Sequence, residues 1–297
     1  MTALEFRHVD ILFPPAGATR GRRAQAAVLR AIAALEAGGS RSEIAERTGV
    51  IVGVCNANLA VERGEISVLM GLSGSGKSTL LRAANGLNRV TRGEVLVRDG
   101  EAVVDVARCD AATLRRVRRQ RIAMVFQQFA LLPWRTVREN VGFGLELRGE
   151  PAESRHRIVD EQLELVGLSQ WADRHCSELS GGMQQRVGLA RAFATNAEIL
   201  LMDEPFSALD PLIRRKLQDE LLALQERLRK TILFVSHDLD EALKLGDRIT
   251  ILEGGRVVQT GTPRQIVQNP ADEYVAEFVR HVNPRTVFKD GSTQTAT

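Results

Sequence analysis

A glycine-rich octapeptide between an apolar run and a helical segment constrains this chain more than any other feature. The octapeptide follows the apolar run 65–70 and fits the pattern G-x-x-x-x-G-K-[ST]. Its residues are Gly71, Leu72, Ser73, Gly74, Ser75, Gly76, Lys77 and Ser78. Glycines let consecutive backbone N–H groups curl around phosphate oxygens, and the helix N-terminus adds partial positive charge. With a strand before it and a helix from Ser78 to Gly86 after it, the segment predicts a phosphate-binding loop rather than a flexible turn.

Different side chains of this loop are expected to make different contacts with a nucleotide and its metal ion. Lys77 is expected to reach the β- and γ-phosphates of a nucleotide, and the Ser78 hydroxyl is expected to bind Mg²⁺. Thr79, the next residue, is predicted to contact the nucleotide together with the loop. The motif indicates nucleotide binding, but it does not distinguish among the many protein families that use such a loop.

Composition argues against nucleic-acid binding, a cysteine-based framework and a membrane-spanning segment. Lys and Arg number 40 against 37 Asp and Glu, so the net charge of +3 is too small to indicate nucleic-acid binding. The arginine-rich run 114–121 is interpreted as a solvated basic face rather than a nucleic-acid patch. The three cysteines are scattered without a CxxC pair, which fits a reducing cytosol. The first residues lack an apolar stretch, so no signal peptide is expected, and no apolar run approaches the length of about 18 residues that crosses a bilayer. We therefore expect any membrane role to come through a partner.

Alternation of apolar runs and helical patterns predicts an α/β fold. Apolar runs at 199–202 and 231–235 flank a segment in which apolar residues recur at helical spacing from Ile213 to Leu228. Strands that alternate with helices favour a mostly parallel sheet covered on both faces. Asp99-Gly100 and Gly254-Gly255 each separate two β-rich runs, so we expect a hairpin at both places.

The N-terminal part carries a predicted insertion at 24–49. Residues 24–37 have helical spacing and are followed by Gly38 as a C-cap. Ser40 and Glu43 form an S-x-x-E capping box, which predicts a second, short helix that stops at Gly49.

Two carboxylates follow one of the apolar runs. Asp203 and Glu204 end the run 199–202. We expect Asp203 to hold Mg²⁺ and Glu204, on the other face of the strand, to polarise a water for attack on the γ-phosphate. A solvated strand end would explain the pair alone, but the phosphate loop favours the functional interpretation.

A second motif suggests a family. Leu179-Ser180-Gly181-Gly182-Met183 resembles the LSGGQ signature of ABC ATPases, with Met183 in place of the usual Gln. The resemblance implies that Ser180, Gly181 and Gly182 contact the nucleotide held by the opposite subunit, at a helix N-terminus.

Other segments are similar to further landmarks of that family, in the same order. Gln127 lies in a Q-loop-like segment, which implies contact with Mg²⁺ and the attacking water. Asp210 lies in a segment that resembles the D-loop, which crosses to the other subunit. His237 follows the run 231–235 and resembles the H-loop residue that contacts the γ-phosphate.

The resemblance implies an architecture as well as an activity. We expect a P-loop NTPase with a RecA-like α/β core, an antiparallel β-subdomain and a helical subdomain at about 128–195. The ABC ATPase domain would span 1–285, with a polar, disordered tail at 286–297. The family works as a head-to-tail homodimer that holds ATP and Mg²⁺ in two shared sites, and no nucleic acid is expected.

Two aromatic residues have open interpretations. No aromatic residue lies at 47–52, where many family members place the one that stacks on adenine. Phe13 is our candidate for that role, and a core or surface phenylalanine is the alternative. Trp134 is interpreted either as a contact for the permease or as a core residue.

Within the family, the insertion, the octapeptide and the signature resemble the quaternary-amine importers, which take up choline, glycine betaine or proline betaine. This implies integral-membrane permease subunits, a periplasmic or extracellular substrate-binding protein, and a peripheral position on the cytoplasmic face of the inner membrane. The chain ends too soon after Pro284 for a pair of CBS domains, which favours the short choline-type form. Alternatives are an importer for another small solute and a soluble ABC ATPase of translation or DNA repair.

Overall fold

The computed structural model describes residues 1–15 and 21–280, which contain ten strands, eleven α-helices and two short 3-10 helices (Ser169–Trp171 and Cys176–Glu178). The strands are β1 (Thr2–Phe13), β2 (Ile51–Glu62), β3 (Ile66–Met70), β4 (Arg92–Asp99), β5 (Ala102–Asp105), β6 (Ile122–Val125), β7 (Ile199–Asp203), β8 (Thr231–Val235), β9 (Arg248–Glu253) and β10 (Arg256–Gly261). The helices are α1 (Arg22–Glu36), α2 (Arg41–Thr48), α3 (Lys77–Ala83), α4 (Ala111–Gln120), α5 (Val137–Arg148), α6 (Ala152–Leu165), α7 (Gly181–Ala194), α8 (Pro211–Leu228), α9 (Leu239–Leu245), α10 (Pro263–Gln268) and α11 (Glu273–Val279). The predicted tail at 286–297 and the domain end at 285 lie outside the described residues.

The larger sheet has the strand order β10-β9-β3-β8-β7-β6, and all neighbours except β10 and β9 are parallel. Every residue of β3, β7 and β8 is buried, as the continuous apolar runs of a covered parallel sheet require. Alternate side chains enter two different cores: Val68, Met202 and Phe234 face one, and Leu69, Leu201 and Leu233 face the other. The predicted α/β fold with a mostly parallel sheet is confirmed.

A second, four-stranded sheet is antiparallel and has the order β2-β1-β4-β5. The two predicted hairpins are both confirmed. Asp99 pairs with Ala102 across one turn, and Glu253 pairs with Arg256 across the other. Gly100 has φ 70°, a left-handed conformation that costs glycine little.

The insertion forms a helical pair, as predicted, with slightly different bounds. Helix α1 begins at Arg22 and ends at Glu36, and its C-cap is Ala37 rather than the predicted Gly38. The capping box of α2 is present: the Ser40 hydroxyl accepts from the Glu43 N–H, and the Glu43 carboxylate accepts from the Ser40 N–H. Gly49 ends α2 in the left-handed region.

Helix α3 is shorter than the sequence predicts, because it ends at Ala83 rather than near Gly86. The N–H of Ala84 bonds to the carbonyl of Leu81, and the N–H of Gly86 bonds to that of Ala83. These i→i−3 bonds tighten the chain after the last α-helical turn.

Helices α5, α6 and α7 pack against one another within the region 128–195. Asn140 is fully buried in α5 and bonds to the backbone of Leu132 and to the Cys176 sulfur, which joins the preceding loop to this bundle. Among residues 1–15 and 21–280, no helix has both the length and the apolar character needed to cross a bilayer.

Candidate functional site

Parallel strands β3, β6, β7 and β8 end at the same edge of the larger sheet, and the segments after them line one cleft. This edge is where open α/β sheets usually bind ligands. The cleft has a volume of about 510 Å³. Its lining residues are Phe13, Arg41, Ile51, Gly53, Ser73, Gly74, Gly76, Lys77, Ser78, Thr79, Gln127, Glu204 and His237.

Close approach of the backbone explains two glycines of the octapeptide. At Gly71, with φ 143°, a Cβ would lie 2.1 Å from the carbonyl oxygen of Leu252. At Gly76, with φ 101°, a Cβ would lie 2.5 Å from the carbonyl oxygen of Gly53. Only glycine fits at either place, so the loop can curl tightly into the start of α3.

Lys77 is buried at the start of α3, and its ammonium group turns back over the loop. Nζ donates to the carbonyl oxygens of Gly71 at 2.8 Å and Leu72 at 2.9 Å. Burial lowers the pKa of Lys77, although the nearby Glu204 and Asp203 carboxylates act in the opposite direction. An ammonium group in this position can exchange loop carbonyls for phosphate oxygens without leaving the cleft.

Asp203 lies at the end of β7 and is completely buried. Its Oδ1 accepts from the Ser78 hydroxyl at 2.6 Å. Its Oδ2 accepts from Nε and Nη2 of Arg82, at 3.1 Å and 2.8 Å. The structure thus joins Ser78 and Asp203, two of the three predicted metal-binding residues, and adds Arg82, which the sequence analysis missed; the third, Gln127, bonds to Glu204. Arg82 lies one helical turn after Ser78, and this spacing is the signal that could have found it.

Glu204 lies just beyond β7 and has φ 48°, in the left-handed region that non-glycine residues rarely adopt. Its Oε2 accepts from Gln127 Nε2 at 3.1 Å and lies 3.3 Å from His237 Nδ1. The sequence analysis placed Glu204 on the other face of the strand from Asp203. That argument was wrong, because the strand ends at Asp203 and the alternation of side chains along a strand does not apply to Glu204. Strained backbone of this kind is concentrated at functional sites.

Phe13 lies at the end of β1 and lines the cleft with 36% of its surface exposed. Its Cε2 atom would be 2.7 Å from a Cβ at Gly53, so the ring lies directly on that glycine. Thr79 Cγ2 would be 3.1 Å from the same Cβ. An apolar platform of this kind, next to the phosphate-binding loop, can stack against a flat base.

Several predicted residues do not line this cleft. The Leu72 side chain is 62% exposed, and its N–H bonds to the Tyr274 hydroxyl. Ser180 and Asp210 are the N-caps of α7 and α8, where they accept from backbone N–H groups. At Gly181 a Cβ would meet no atom within 4 Å, so the start of α7 is open at this residue.

Gln185 is a second residue that the sequence analysis missed. It lies on α7 with 1% of its surface exposed. Its amide nitrogen donates to the backbone carbonyl of Glu204 at 3.2 Å, and its amide oxygen accepts from the Ala208 N–H at 3.2 Å. Helix α7, which begins within the LSGGM segment, is therefore hydrogen-bonded directly to the loop that follows β7.

The fold and the phosphate-binding loop define a nucleotide-binding α/β protein, and comparison with known proteins gives the family. The ABC transporter family profile matches residues 54–207. The chain is 56% identical, over 259 residues, to the glycine betaine/proline betaine transport system ATP-binding protein ProV of Escherichia coli; the match covers 87% of this chain and 64% of that protein. It is 51% identical to the trimethylamine N-oxide transport system ATP-binding protein TmoW of Ruegeria pomeroyi, over 82% of this chain and 70% of that protein.

Comparison with solved structures gives the same family. A dimeric bacterial ABC transporter cassette is 31% identical, with a TM-score of 0.72 over 88% of this chain and 99% of that one. The same cassette is known in a dimeric post-hydrolysis state bound to ADP and Pi. This chain belongs to the ABC transporter family.

Removal of Arg82 tests the charge balance around Asp203. Loss of one partner from a buried ion pair typically costs about 3–5 kcal/mol. Because the Arg82 side chain is 39% exposed and water can replace part of it, we expect Arg82→Ala to lower the free energy of unfolding by about 1–3 kcal/mol. Urea unfolding without nucleotide or Mg²⁺ measures the change.

The matched control is Arg89→Ala, since Arg89 is an exposed arginine shortly after α3. We expect that variant to stay within about 0.5 kcal/mol of the wild type. Adding Asp203→Asn to Arg82→Ala should recover part of the loss, because an amide needs no counter-charge. Equal stability of Arg82→Ala and the wild type would contradict the conclusion that Arg82 stabilises the buried Asp203 carboxylate.

Proposed function

We propose that this chain is the ATP-hydrolysing subunit of an importer for quaternary amines and that it powers a membrane permease. The observation that carries the proposal is the Glu204 carboxylate, which Gln127 and His237 hold in the same cleft as Lys77. A general base must lie within reach of the water that it activates, at a fixed orientation. Glu204 then polarises water for in-line attack on the γ-phosphate.

In this proposal the loop 71–78 binds the phosphate chain of ATP. Backbone N–H groups and the N-terminus of α3 attract the phosphates, and Lys77 contacts the β- and γ-phosphates. Phe13 stacks on adenine. His237 contacts the γ-phosphate and, with Gln127, keeps Glu204 oriented.

The residues present also fit a Mg²⁺ ion. Proteins usually bind Mg²⁺ through one or two carboxylates together with substrate phosphates. The Ser78 hydroxyl and the Asp203 carboxylate, 2.6 Å apart, offer such a pair. Ser78 and Gln127 line the cleft, and Asp203 is buried against Ser78. Mg²⁺ bound to ATP there would neutralise charge that develops on the phosphates. Arg82 donates two hydrogen bonds to the buried Asp203 carboxylate and holds it in place.

The site is completed by a second copy of the chain. Ser180 and Gly181 are exposed and Gly182 is half-buried at the N-terminus of α7, and none of the three lines the cleft of their own chain. Such a terminus attracts anions, so a head-to-tail homodimer would place it on the γ-phosphate of ATP bound by the partner. Asp210, at the start of α8, would lie at the same interface. Two ATP molecules would be enclosed.

The membrane partners follow from the surface and from the relatives. Trp134, between β6 and α5, is 70% exposed, which favours a contact with the permease over burial in the core. The glycine betaine and trimethylamine N-oxide systems of the relatives support a quaternary or related methylated amine as cargo. Aromatic cages recognise such cations. Because this chain has only 2 Trp and 1 Tyr, recognition of the cargo belongs to a separate binding protein outside the cell. The chain then lies peripherally on the cytoplasmic face of the membrane.

The role of Glu204 is tested by Glu204→Gln. The amide cannot accept a proton, so we expect phosphate release to fall by about 10²–10⁴-fold while ATP still binds. Phosphate release and binding of a fluorescent ATP analogue measure the two effects separately. Glu226→Gln, an exposed glutamate on α8, is the control and should retain wild-type turnover. A near-normal rate in Glu204→Gln would refute the assignment.

Complementation tests the shared sites. A heterodimer of a Lys77→Ala chain and a Ser180→Ala chain has one composite site with both residues intact, provided that Ser180 acts on its neighbour's nucleotide. We therefore expect the mixture to regain activity that neither variant has alone. ATP-dependent dimerisation, followed by size-exclusion chromatography, accompanies the assay. Absence of both rescue and dimerisation would exclude the head-to-tail arrangement.

Uptake tests the cargo. Cells that express the wild type should accumulate labelled glycine betaine or choline, and cells that express only Glu204→Gln should not, because the permease then lacks its energy source. A labelled amino acid serves as the unrelated solute. Equal uptake of both amines in the two strains would rule out the proposed cargo, once other amine transporters have been deleted.

A further inference from the structure

Arg41 belongs to the helical insertion, yet its side chain lines the cleft of the phosphate-binding loop. It is the first residue of α2, and Nη1 donates to the carbonyl oxygen of Gly74 at 3.2 Å. Gly74 lies at the tip of the loop. The insertion therefore places a guanidinium group directly beside the backbone that encloses the phosphates.

The position of Arg41 is fixed by the elements around it. The capping box of Ser40 and Glu43 holds the first turn of α2. One turn further, Ile44 has 1% of its surface exposed and packs in a small core that includes Leu12 and Val52 of β1 and β2. Arg41 thus extends from a packed helix and not from a free loop.

The loop tip is supported from a second side as well. The Gly255 N–H bonds to the Ser75 carbonyl at 3.0 Å, and the Gly255 carbonyl accepts from the Cys55 N–H at 2.8 Å. Arg41 Cδ lies 4.0 Å from the place where a Cβ would stand at Gly254. Arg41 therefore lies between the loop tip and the turn that joins β9 and β10.

The Arg41 guanidinium group has more N–H donors than the one that bonds to Gly74. Arginine carries five N–H donors, of which the Gly74 carbonyl takes one. Within residues 1–15 and 21–280, Arg41 forms no ion pair with a carboxylate, whereas Arg82 and Arg92 both do. A cation beside a phosphate-binding loop, with free donors in a planar fork, is suited to phosphate oxygens.

We propose that Arg41 is a nucleotide-binding residue that the insertion contributes to the phosphate-binding loop, where its guanidinium group binds the phosphate chain of ATP or ADP. The inference rests on the proposed ATP-binding function. It gives the insertion a role in nucleotide affinity, in addition to the packing that Ile44 provides.

Binding of MgATP and MgADP to purified full-length variants tests the proposal. Arg41→Ala should weaken binding by about tenfold, which is within the range for a charge-assisted hydrogen bond. Its affinity should also depend less on salt, because one screened attraction is gone. Arg41→Lys keeps the charge and should recover part of the affinity. The control is Arg47→Ala, since Arg47 is exposed on the same helix.

Arg41→Gln separates phosphate binding from support of the loop. Glutamine keeps a neutral N–H donor on a shorter side chain, but it carries no charge. Weakening similar to that of Arg41→Ala supports the proposal, provided that thermal unfolding without nucleotide matches the wild type. Affinity of Arg41→Gln within threefold of the wild type would overturn it and make Arg41 a structural support. If the wild type itself does not bind MgATP, the proposed function fails instead.

Discussion

Parallel pairing of β3, β8 and β7 is the constraint on which the rest of the structure depends. Leu69 pairs with Val235, and Asp203 pairs with Val235 from the other side, so the three strands end level with one another. A slip of one residue would turn every side chain of a strand to the opposite core. Because both faces are buried, the register is fixed, and the phosphate-binding loop, Glu204 and His237 are held at one edge.

Charged groups at that edge are paired with other groups of the protein. The buried Asp203 carboxylate is paired with Arg82, and the buried Lys77 ammonium is held by loop carbonyls. Groups that are already desolvated and oriented need little reorganisation when phosphate charge enters, which is the basis of electrostatic catalysis. Burial lowers the pKa of Lys77, so an incoming phosphate would restore the environment that favours its charged form.

Two segments far from the loop in sequence are joined to it by side chains. The insertion reaches the loop tip through Arg41, and helix α7 reaches the backbone of Glu204 through Gln185. These hydrogen bonds fix α2 against the loop tip and α7 against the segment that follows β7.

The sequence by itself determined strands β3, β7 and β8, the two hairpins, the capping box of α2 and the nature of the phosphate-binding loop, because local spacing and residue type carry those signals. It also singled out Asp203, Glu204 and His237 as chemical groups. Only the tertiary structure decided that Arg82 neutralises Asp203, that Glu204 leaves the strand with positive φ, and that an insertion residue enters the cleft. These facts depend on contacts between residues more than 30 positions apart, such as Arg82 with Asp203 and Arg41 with Gly74. Helical spacing could place Arg82 beside Ser78, but it could not reveal the contact of either residue with Asp203.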